Sequence, residues 1–328
     1  MKKTDINNVS IKNKIILILG GTGTLGTALT ERYHNDNDII VFSRNELKQE
    51  AMKVHYPDIT YRVGDVKDRD SIKRVLYEFN PDIVINTAAV KTVWVAQDNP
   101  YEAVLTNIVG HQNLIDCVKE KTTKPVETIV FISTDKACSP INVYGQTKAI
   151  SEQIYVKYAR ESNNTKVVLC RYGNVLSSTG SLIPLFQKMV ADGFTSLPIT
   201  GYEMTRFLLP ISHAIDLIDW AYAHPDSHGR IVVPKLRSIK LIDFIKAIIK
   251  STGKSDIGIH KIPIRDGEKL HEEMISSIEF QRVKEFDKYY MIGMDRINEV
   301  YDHAPYSSEF HAVSEDEVWK FLKELKAL

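Results

Sequence analysis

Short apolar runs alternate with longer amphipathic stretches through the first half of the chain. KIILILG (14–20), DIIVFSR (38–44), ITYRVGD (59–65), DIVINTAA (82–89), ETIVFIS (127–133) and KVVLCRYGNV (166–175) are rich in Ile and Val at successive positions. Runs of this kind predict parallel strands covered on both faces. RDSIKRVLYEF and LTNIVGHQNLIDCVKE lie between them and read as crossover helices. Strand–helix alternation predicts an α/β fold built on a doubly wound parallel sheet.

After about residue 175 the rhythm breaks. GSLIPLFQKMVADG predicts a helix, and PITGYEMTRFLLPIS a strand followed by a turn. Ser212 is placed to cap a helix through SHAIDLIDWAYAH. GRIVVP, KLIDFIKAIIKSTG, HKIPI and KLHEEMI follow with no regular period. The expected organisation is a first domain over 1–173, with part of 211–255 returning to its sheet. Residues 174–210 and 256–328 then form most of a smaller α/β domain woven from C-terminal segments.

A chain of 328 residues has ample core for one large domain or two cooperating ones. Lys plus Arg balance Asp plus Glu at 42 each, which gives no electrostatic reason to expect nucleic acid or a membrane surface. The opening MKKTDINNVSIKNK is polar, so it reads as neither signal peptide nor anchor. No run approaches the roughly 18 apolar residues of a membrane span. The cysteines, Cys117, Cys138 and Cys170, are odd in number and lack metal-type spacing, which fits a reducing cytoplasm. The histidines form no HExxH-like pair, and no metal site is expected.

The first strand runs into GGTGTLG and then into TALTERYH, which has helical character. Gly21, Gly23 and Gly26 satisfy GxGxxG, while Gly20, Gly23 and Gly26 satisfy GxxGxxG. Glycines here let the backbone approach a pyrophosphate, which meets the positive end of the following helix. The segment Gly20, Gly21, Thr22, Gly23, Thr24, Leu25, Gly26 is therefore the expected dinucleotide grip of a Rossmann-type domain. A glycine-rich turn with no ligand is the plain alternative. Strand two ends in Ser43 and Arg44, with Lys48 one turn on. Basic residues there suit a 2′-phosphate, which favours NADP over NAD. A solvated basic helix start is the competing reading. Asp65 and Val66, after strand three, are placed to meet the adenine edge, though Asp65 also suits a turn.

The stretch FISTDKACSPINVYGQTK, residues 131–148, gathers the candidate chemistry. Tyr144 and Lys148 are four apart and share a helix face. An ammonium there is expected to lower the tyrosine pKa, so that the phenolate takes an alcohol proton as hydride leaves. With the glycine loop, this YxxxK resembles the short-chain dehydrogenase/reductase superfamily, extended type. A simple alcohol dehydrogenase needs the tyrosine, the lysine and a hydroxyl such as Thr134. Asp135 and Lys136 are then surplus, and they suggest proton chemistry after oxidation. Oxidising a sugar at C4 acidifies C5. A base removes the C5 proton, an acid protonates the departing C6 hydroxyl, and the hydride returns to C6. That sequence is a 4,6-dehydration, with Lys136 as base and Asp135 as acid. It asks for a neutral lysine and a protonated aspartate, which burial favours and which Lys91 or Lys148 is expected to assist at Lys136. A structural Asp–Lys pair is the plain alternative.

STDKA…NVYGQTK, LCRYGNVLSSTGSLIPLF, EMTRFLLPISHAIDLI, RDGEKLHEEMIS and PYSSEFHAVSEDEVWKFL together resemble the UDP-N-acetylglucosamine 4,6-dehydratases of the C5-inverting kind. The lysine after Thr-Asp is the most specific marker, because retaining relatives carry glutamate there. The resemblance implies Thr134, Asp135, Lys136, Tyr144 and Lys148 as the catalytic set. It places Ala88, Ala89 and Lys91 of AAVKTV on the nicotinamide side of the cleft. Asn174 is expected at the sugar or its phosphate, Arg206 and Arg265 at the UDP diphosphate or ribose, and Glu268 as a brace of the nucleotide pocket. Asn174 as a turn residue and Glu268 as a helix cap are the structural alternatives. Trp94 replaces a proline usual in relatives and is expected to reshape the pocket wall. The resemblance further implies a homo-oligomer. A nucleotide-sugar C4-epimerase or 4-ketoreductase, and a non-catalytic NADP-binding regulator, are the competing functions. The first leaves Asp135 and Lys136 without a task, and the second sits badly with a complete catalytic set.

Overall fold

A computed structural model of the chain describes residues 10–176, 182–254, 256–295 and 303–325. The first nine residues of the polar N-terminal stretch and the start of GSLIPLF lie outside them. Strand β1 (Ile15–Leu19), helix α1 (Thr24–Tyr33), β2 (Asp38–Ser43), α2 (Glu46–Lys53), β3 (Thr60–Val63), α3 (Arg69–Phe79) and β4 (Ile83–Asn86) alternate as the pattern predicts. Then come α4 (Val93–Asp98), α5 (Pro100–Val104), α6 (Gly110–Glu120), β5 (Thr128–Thr134), α7 (Val143–Glu161) and β6 (Lys166–Tyr172). The second half holds β7 (Asn174–Val175), α8 (Leu182–Ala191), β8 (Ser196–Ile199), β9 (Thr205–Leu209), α9 (Ile211–Ala223) and β10 (Arg230–Pro234). It continues through β11 (Ser238–Lys240), α10 (Leu241–Ser251), β12 (Gly258–Lys261), β13 (Glu273–Ile275), β14 (Val283–Glu285), β15 (Tyr289–Ile292), β16 (Tyr306–Ser307) and α11 (Glu315–Glu324).

The main sheet has the order β14-β15-β10-β6-β5-β4-β1-β2-β3. From β10 to β3 every pairing is parallel, and β15 and β14 add an antiparallel edge. Strand order reverses between β1 and β4, which opens a crevice at the carboxyl ends of the strands. Side chains along β1 show why the runs read as continuously apolar. Leu17 and Leu19 enter one core cluster, and Ile16 and Ile18 enter another. Both faces of the sheet are covered, so successive residues are all apolar. A third cluster joins Leu176, just after β7, with Phe186, Leu197, Phe244, Ile248 and Leu322, from α8, β8, α10 and α11.

Three local expectations are corrected. KVVLCRYGNV is not one strand. Phe207 packs against the Gly173 backbone, and β7 leaves the main sheet there to pair with β9. Ser212 is not a cap, because α9 begins at Ile211 behind Pro210. LTNIVGHQNL opens with a π-helical turn, Leu105–Val109, before α6. Asn107 in that turn accepts from Val90 N–H at 2.8 Å and donates to Val90 C=O at 3.1 Å, which fixes the loop after β4. Widened turns of this sort recur near functional sites.

Arg171 on β6 is 1% exposed, among the deepest charges in the fold. All five of its N–H groups find acceptors. Nε and Nη2 donate to Glu152 at 2.9 and 2.6 Å, Nη1 and Nη2 to Glu279 at 3.0 and 2.8 Å, and Nη1 to Met274 C=O at 2.8 Å. Ser133 donates to Glu152 at 2.5 Å. A buried guanidinium is tolerated only when paired and fully hydrogen-bonded. Burial pushes the Glu279 carboxyl up, but Arg171 and its hydrogen bonds outweigh burial and hold it at about 2, against an ordinary 4.5. This depressed folded value stabilises the protein above pH 4.5 and is lost as pH falls through about 2. Glu279→Gln is expected to lower stability at neutral pH by roughly 3 kcal/mol and to flatten the acid limb in that window. Urea unfolding at a series of pH values checks both.

Candidate active site

A cavity of about 670 Å³ runs across the carboxyl ends of β1 to β6. The turn after β1 lines one end and α10, through Leu241 and Phe244, the other. Gly20 adopts φ +79°, a conformation suited to glycine, and its carbonyl accepts from Gly23 N–H at 2.9 Å. Gly23 is the N-cap of α1 and brings no side chain to fill the position in front of the helix. A Cβ on Gly26 would sit 2.5 Å from Gly21, so this pair lets α1 pack close against β1. Gly20, Thr22, Gly23, Thr24 and Leu25 line the cavity, whereas Gly21 and Gly26 lie behind it. An anion-accepting helix start and a close backbone cradle fit a pyrophosphate.

Beyond that cradle, Ser43, Arg44, Lys48, Asp65 and Val66 line the same cavity. Arg44 is 58% exposed at the rim, and its Nη1 stands 3.6 Å from Asp65 Oδ2. Asp65 Oδ1 also accepts from Lys67 N–H at 3.0 Å, so the acid both turns the chain and steadies the arginine. Ala88, Ala89 and Lys91 follow β4 into the cavity. Lys91 stands in the cleft mouth, where partial desolvation and the like charge of Lys48 lower its pKa. Trp94 is exposed and is not part of the cavity wall, so the expected reshaping by Trp94 is not seen.

The chemistry is concentrated where β5 ends. Thr134 is the last residue of β5, and Asp135–Ala137 form a single 3₁₀ turn. Thr134 Oγ1 donates to Asp135 Oδ1 at 2.9 Å and accepts from Lys136 N–H. Thr134, Lys136, Tyr144 and Lys148 line the cavity, while Asp135 sits one layer behind Lys136. Lys136 Nζ reaches three acceptors: Asp135 Oδ1 at 3.0 Å, Glu272 Oε1 at 3.2 Å and Asn174 Oδ1 at 3.3 Å. An ammonium has three donors, and here each has a partner.

This arrangement corrects the expected ionisation of Lys136. Burial favours the neutral amine, but Asp135 and Glu272 outweigh burial and raise the pKa, and the opposing cation is Arg206 rather than Lys91 or Lys148. At Asp135, burial raises the carboxyl pKa and Glu272 adds to it, against the opposing pull of Lys136. Glu272 is held below its usual value by Lys136, Arg206 and Lys269, which together overcome its burial. The tyrosine reading is corrected too. Burial pushes Tyr144 up to about 12, and the groups that pull it down are Lys136 and Thr134, not Lys148. Lys148 stands 4.0 Å over the Phe131 ring, and burial lowers it to about 7.

The outer residues divide. Asn174 and Arg206 reach the cavity, whereas Arg265 is exposed and neither it nor Glu268 lines the wall. Arg206 is committed to the protein, donating to Thr205, Leu270 and Lys269 carbonyls at 2.8, 3.1 and 3.0 Å. Glu268 accepts from Thr200 Oγ1 at 3.0 Å and pairs with Arg206 at 3.5 Å, so it braces this loop rather than capping a helix. Sequence reasoning missed Glu272 and Thr106. Glu272 stood inside a quoted motif, RDGEKLHEEMIS, with nothing local to separate it from Glu273. Thr106 sits in the π-helical turn, and its buried hydroxyl lines the cavity without a protein partner.

With this geometry in view, comparison with known proteins is informative. Residues 16–294 match the family model described as polysaccharide biosynthesis protein. The chain is 38% identical, over 287 residues, to the inverting UDP-N-acetylglucosamine 4,6-dehydratase of Campylobacter jejuni subsp. jejuni serotype O:2 (strain ATCC 700819 / NCTC 11168). That match covers 85% of this chain and 83% of the relative. A UDP-glucose 4-epimerase of Rickettsia rickettsii (strain Sheila Smith) is 35% identical over 294 residues, covering 86% of this chain and 84% of the relative. Among solved structures, Pen from Bacillus thuringiensis superposes with a TM-score of 0.87 at 30% identity, covering 97% of this chain and 99% of its own. A match of this extent to the family model, on a doubly wound sheet with this site at its switch point, means that the chain belongs to the polysaccharide biosynthesis protein family, among the relatives of the inverting UDP-N-acetylglucosamine 4,6-dehydratases.

Proposed function

We propose that the protein is a nucleotide-sugar 4,6-dehydratase. It converts UDP-N-acetylglucosamine to a UDP-2-acetamido-2,6-dideoxy-4-hexulose with inversion at C5. The observation that carries this reading is Lys136 Nζ, held by Asp135 and Glu272 in the same cavity as Tyr144. An epimerase acting at C4 alone has no use for a lysine flanked by two buried carboxylates. In this reading residues 1–173, with part of 211–255, hold the cofactor, and 174–210 with 256–328 hold the UDP-sugar. A nicotinamide dinucleotide, when bound, supplies the hydride acceptor for C4 and the hydride donor for C6. Thr22, Gly23 and Thr24 suit its pyrophosphate, and Ser43, Arg44 and Lys48 suit the 2′-phosphate of NADP.

Tyr144 and Thr134 are placed to move the C4 hydroxyl proton, with Lys148 one helical turn beyond Tyr144. A single proton shift then readies the elimination. Lys136 Nζ and Asp135 Oδ1 are 3.0 Å apart, and moving a proton from ammonium to carboxylate creates the neutral amine and the carboxylic acid together. The amine takes the C5 proton. The acid gives its proton to the C6 hydroxyl, which leaves as water, and the pair is again ammonium and carboxylate. C5 regains a proton from solvent on its opposite face, and the proton taken from the C4 hydroxyl is released to solvent, so the net change is loss of one water. Asn174 and Arg206 border the sugar end of the cavity.

A cytoplasmic homo-oligomer completes the proposal. Among the described residues no helix is long and apolar enough to cross a membrane. Tyr101 and Ile150 are 72% and 48% exposed on the adjoining helices α5 and α7, an apolar surface that a second copy would cover.

Two predictions test the reading. Incubated with UDP-N-acetylglucosamine in heavy water without added reductant, the enzyme yields a 6-deoxy-4-keto product carrying deuterium at C5, with L-configured couplings in the proton NMR spectrum. Lys136→Gln and Asp135→Asn each slow that reaction roughly 10²–10⁴-fold, and a C4-epimerised sugar as the sole product rejects the dehydratase. Arg44→Ala is expected to weaken NADP binding about tenfold to a hundredfold while leaving NAD unchanged. Calorimetric titration with each dinucleotide decides this, and equal losses for both remove the 2′-phosphate role.

A further inference from the structure

Glu272 moves no proton in the mechanism above, yet it is 2% exposed beside the reacting pair. Its backbone is pinned by Ser308. Glu272 N–H donates to Ser308 Oγ at 2.9 Å, and Ser308 N–H donates to Glu272 C=O at 2.8 Å. Ser308 is itself held by Thr205 Oγ1 at 2.7 Å and accepts from the Ser238 hydroxyl. These contacts give PYSSEF a purpose: the segment fixes the residue that faces Lys136 from the far side.

Each acid uses one oxygen and leaves the other bare. Asp135 Oδ2 and Glu272 Oε2 are buried without a partner, while Oδ1 and Oε1 reach Lys136 Nζ at 3.0 and 3.2 Å. Two buried carboxylates thus face the one ammonium at the cavity wall. Their mutual repulsion raises the proton affinity of the acid that is less well paired with cations. Arg206 of β9 and Lys269 act on Glu272 and lower its proton affinity, so Asp135 is the better acceptor for the proton that leaves Lys136. Tyr144 of α7 faces the pair from the remaining side.

We propose that Glu272 is a positioning residue for the elimination, holding Lys136 at the cavity wall and directing the transferable proton to Asp135. The proposal rests on the dehydratase reading of the site. It is tested with Glu272→Gln, which preserves shape and an acceptor for Lys136 but removes the charge. Steady-state loss of water from UDP-N-acetylglucosamine is measured across pH for wild type, Glu272→Gln, Glu272→Asp and Ser308→Ala, with melting temperature as the folding check. In Glu272→Gln, kcat is expected to fall roughly 10²-fold with KM little changed. Both limbs of the pH profile move to lower pH, because removing a negative neighbour weakens proton binding at Asp135 and at Lys136 alike. Glu272→Asp restores the limbs at a reduced rate, and Ser308→Ala lowers kcat with the limbs in place.

A Glu272→Gln enzyme with wild-type limbs overturns the role, whether or not kcat falls. If Glu272→Gln does not fold, Glu272→Asp decides: displaced limbs or an undiminished kcat overturns the proposal. A wild-type enzyme that releases no water from the substrate overturns the functional reading, and the Glu272 role with it.

Discussion

The buried guanidinium of Arg171 ties together the elements that carry the site. A guanidinium with no water around it demands acceptors for five N–H groups, and here they come from α7, the segment after β13 and a backbone carbonyl. Satisfying it fixes the relative positions of β6, α7 and residues 274–279. Glu152, its partner on α7, is one turn beyond Lys148, and Ser133, bonded to the same carboxylate, precedes Thr134. The charge pair thus sets the distance between the end of β5 and the face of α7 that bears Tyr144. Replacing it with an apolar cluster of equal volume would not reproduce that geometry, since apolar contact has no direction.

The second organising feature is the joining of distant segments at the 3₁₀ turn. Lys269 donates to the Cys138 carbonyl at 2.8 Å, and Asn142 donates to the Gly267 carbonyl at 2.8 Å. Ser139, at φ +44°, donates to Glu273 at 2.8 Å. A left-handed non-glycine residue persists only where its surroundings over-determine it, and here the 267–273 segment does so. The turn that carries Asp135 and Lys136 is therefore held by residues more than a hundred positions later in the chain.

That distance explains what could be read in advance. Strands β1 to β6 were legible because most of them are runs of Ile, Val and Leu, a property of neighbouring residues in the chain. The glycine loop and the pair Tyr144 and Lys148 were legible for the same reason. Glu272 was not, because its character comes from Lys136 and Ser308, and nothing near it in sequence marks it off from Glu273. The ionisation of Lys136 was misjudged because burial and neighbouring lysines were weighed, whereas the carboxylates that reverse the outcome are Asp135 beside it and Glu272 from the far end of the chain. Arg265 shows the opposite case: a motif position suggested a ligand contact, and the fold places it on the surface outside the cavity lining. Ser212 had the chemistry of a cap, but Pro210 already starts the helix there.

The two edges of the main sheet carry a consequence for self-association. β3 is four residues long and carries Arg62, and β14 is three residues long with Lys284 and Glu285 exposed. Short charged edges resist the addition of a strand from a neighbouring molecule. Sheet extension, the route by which an open parallel sheet would grow into a fibre, is blocked at both ends. Any contact between copies is thereby directed away from the sheet edges.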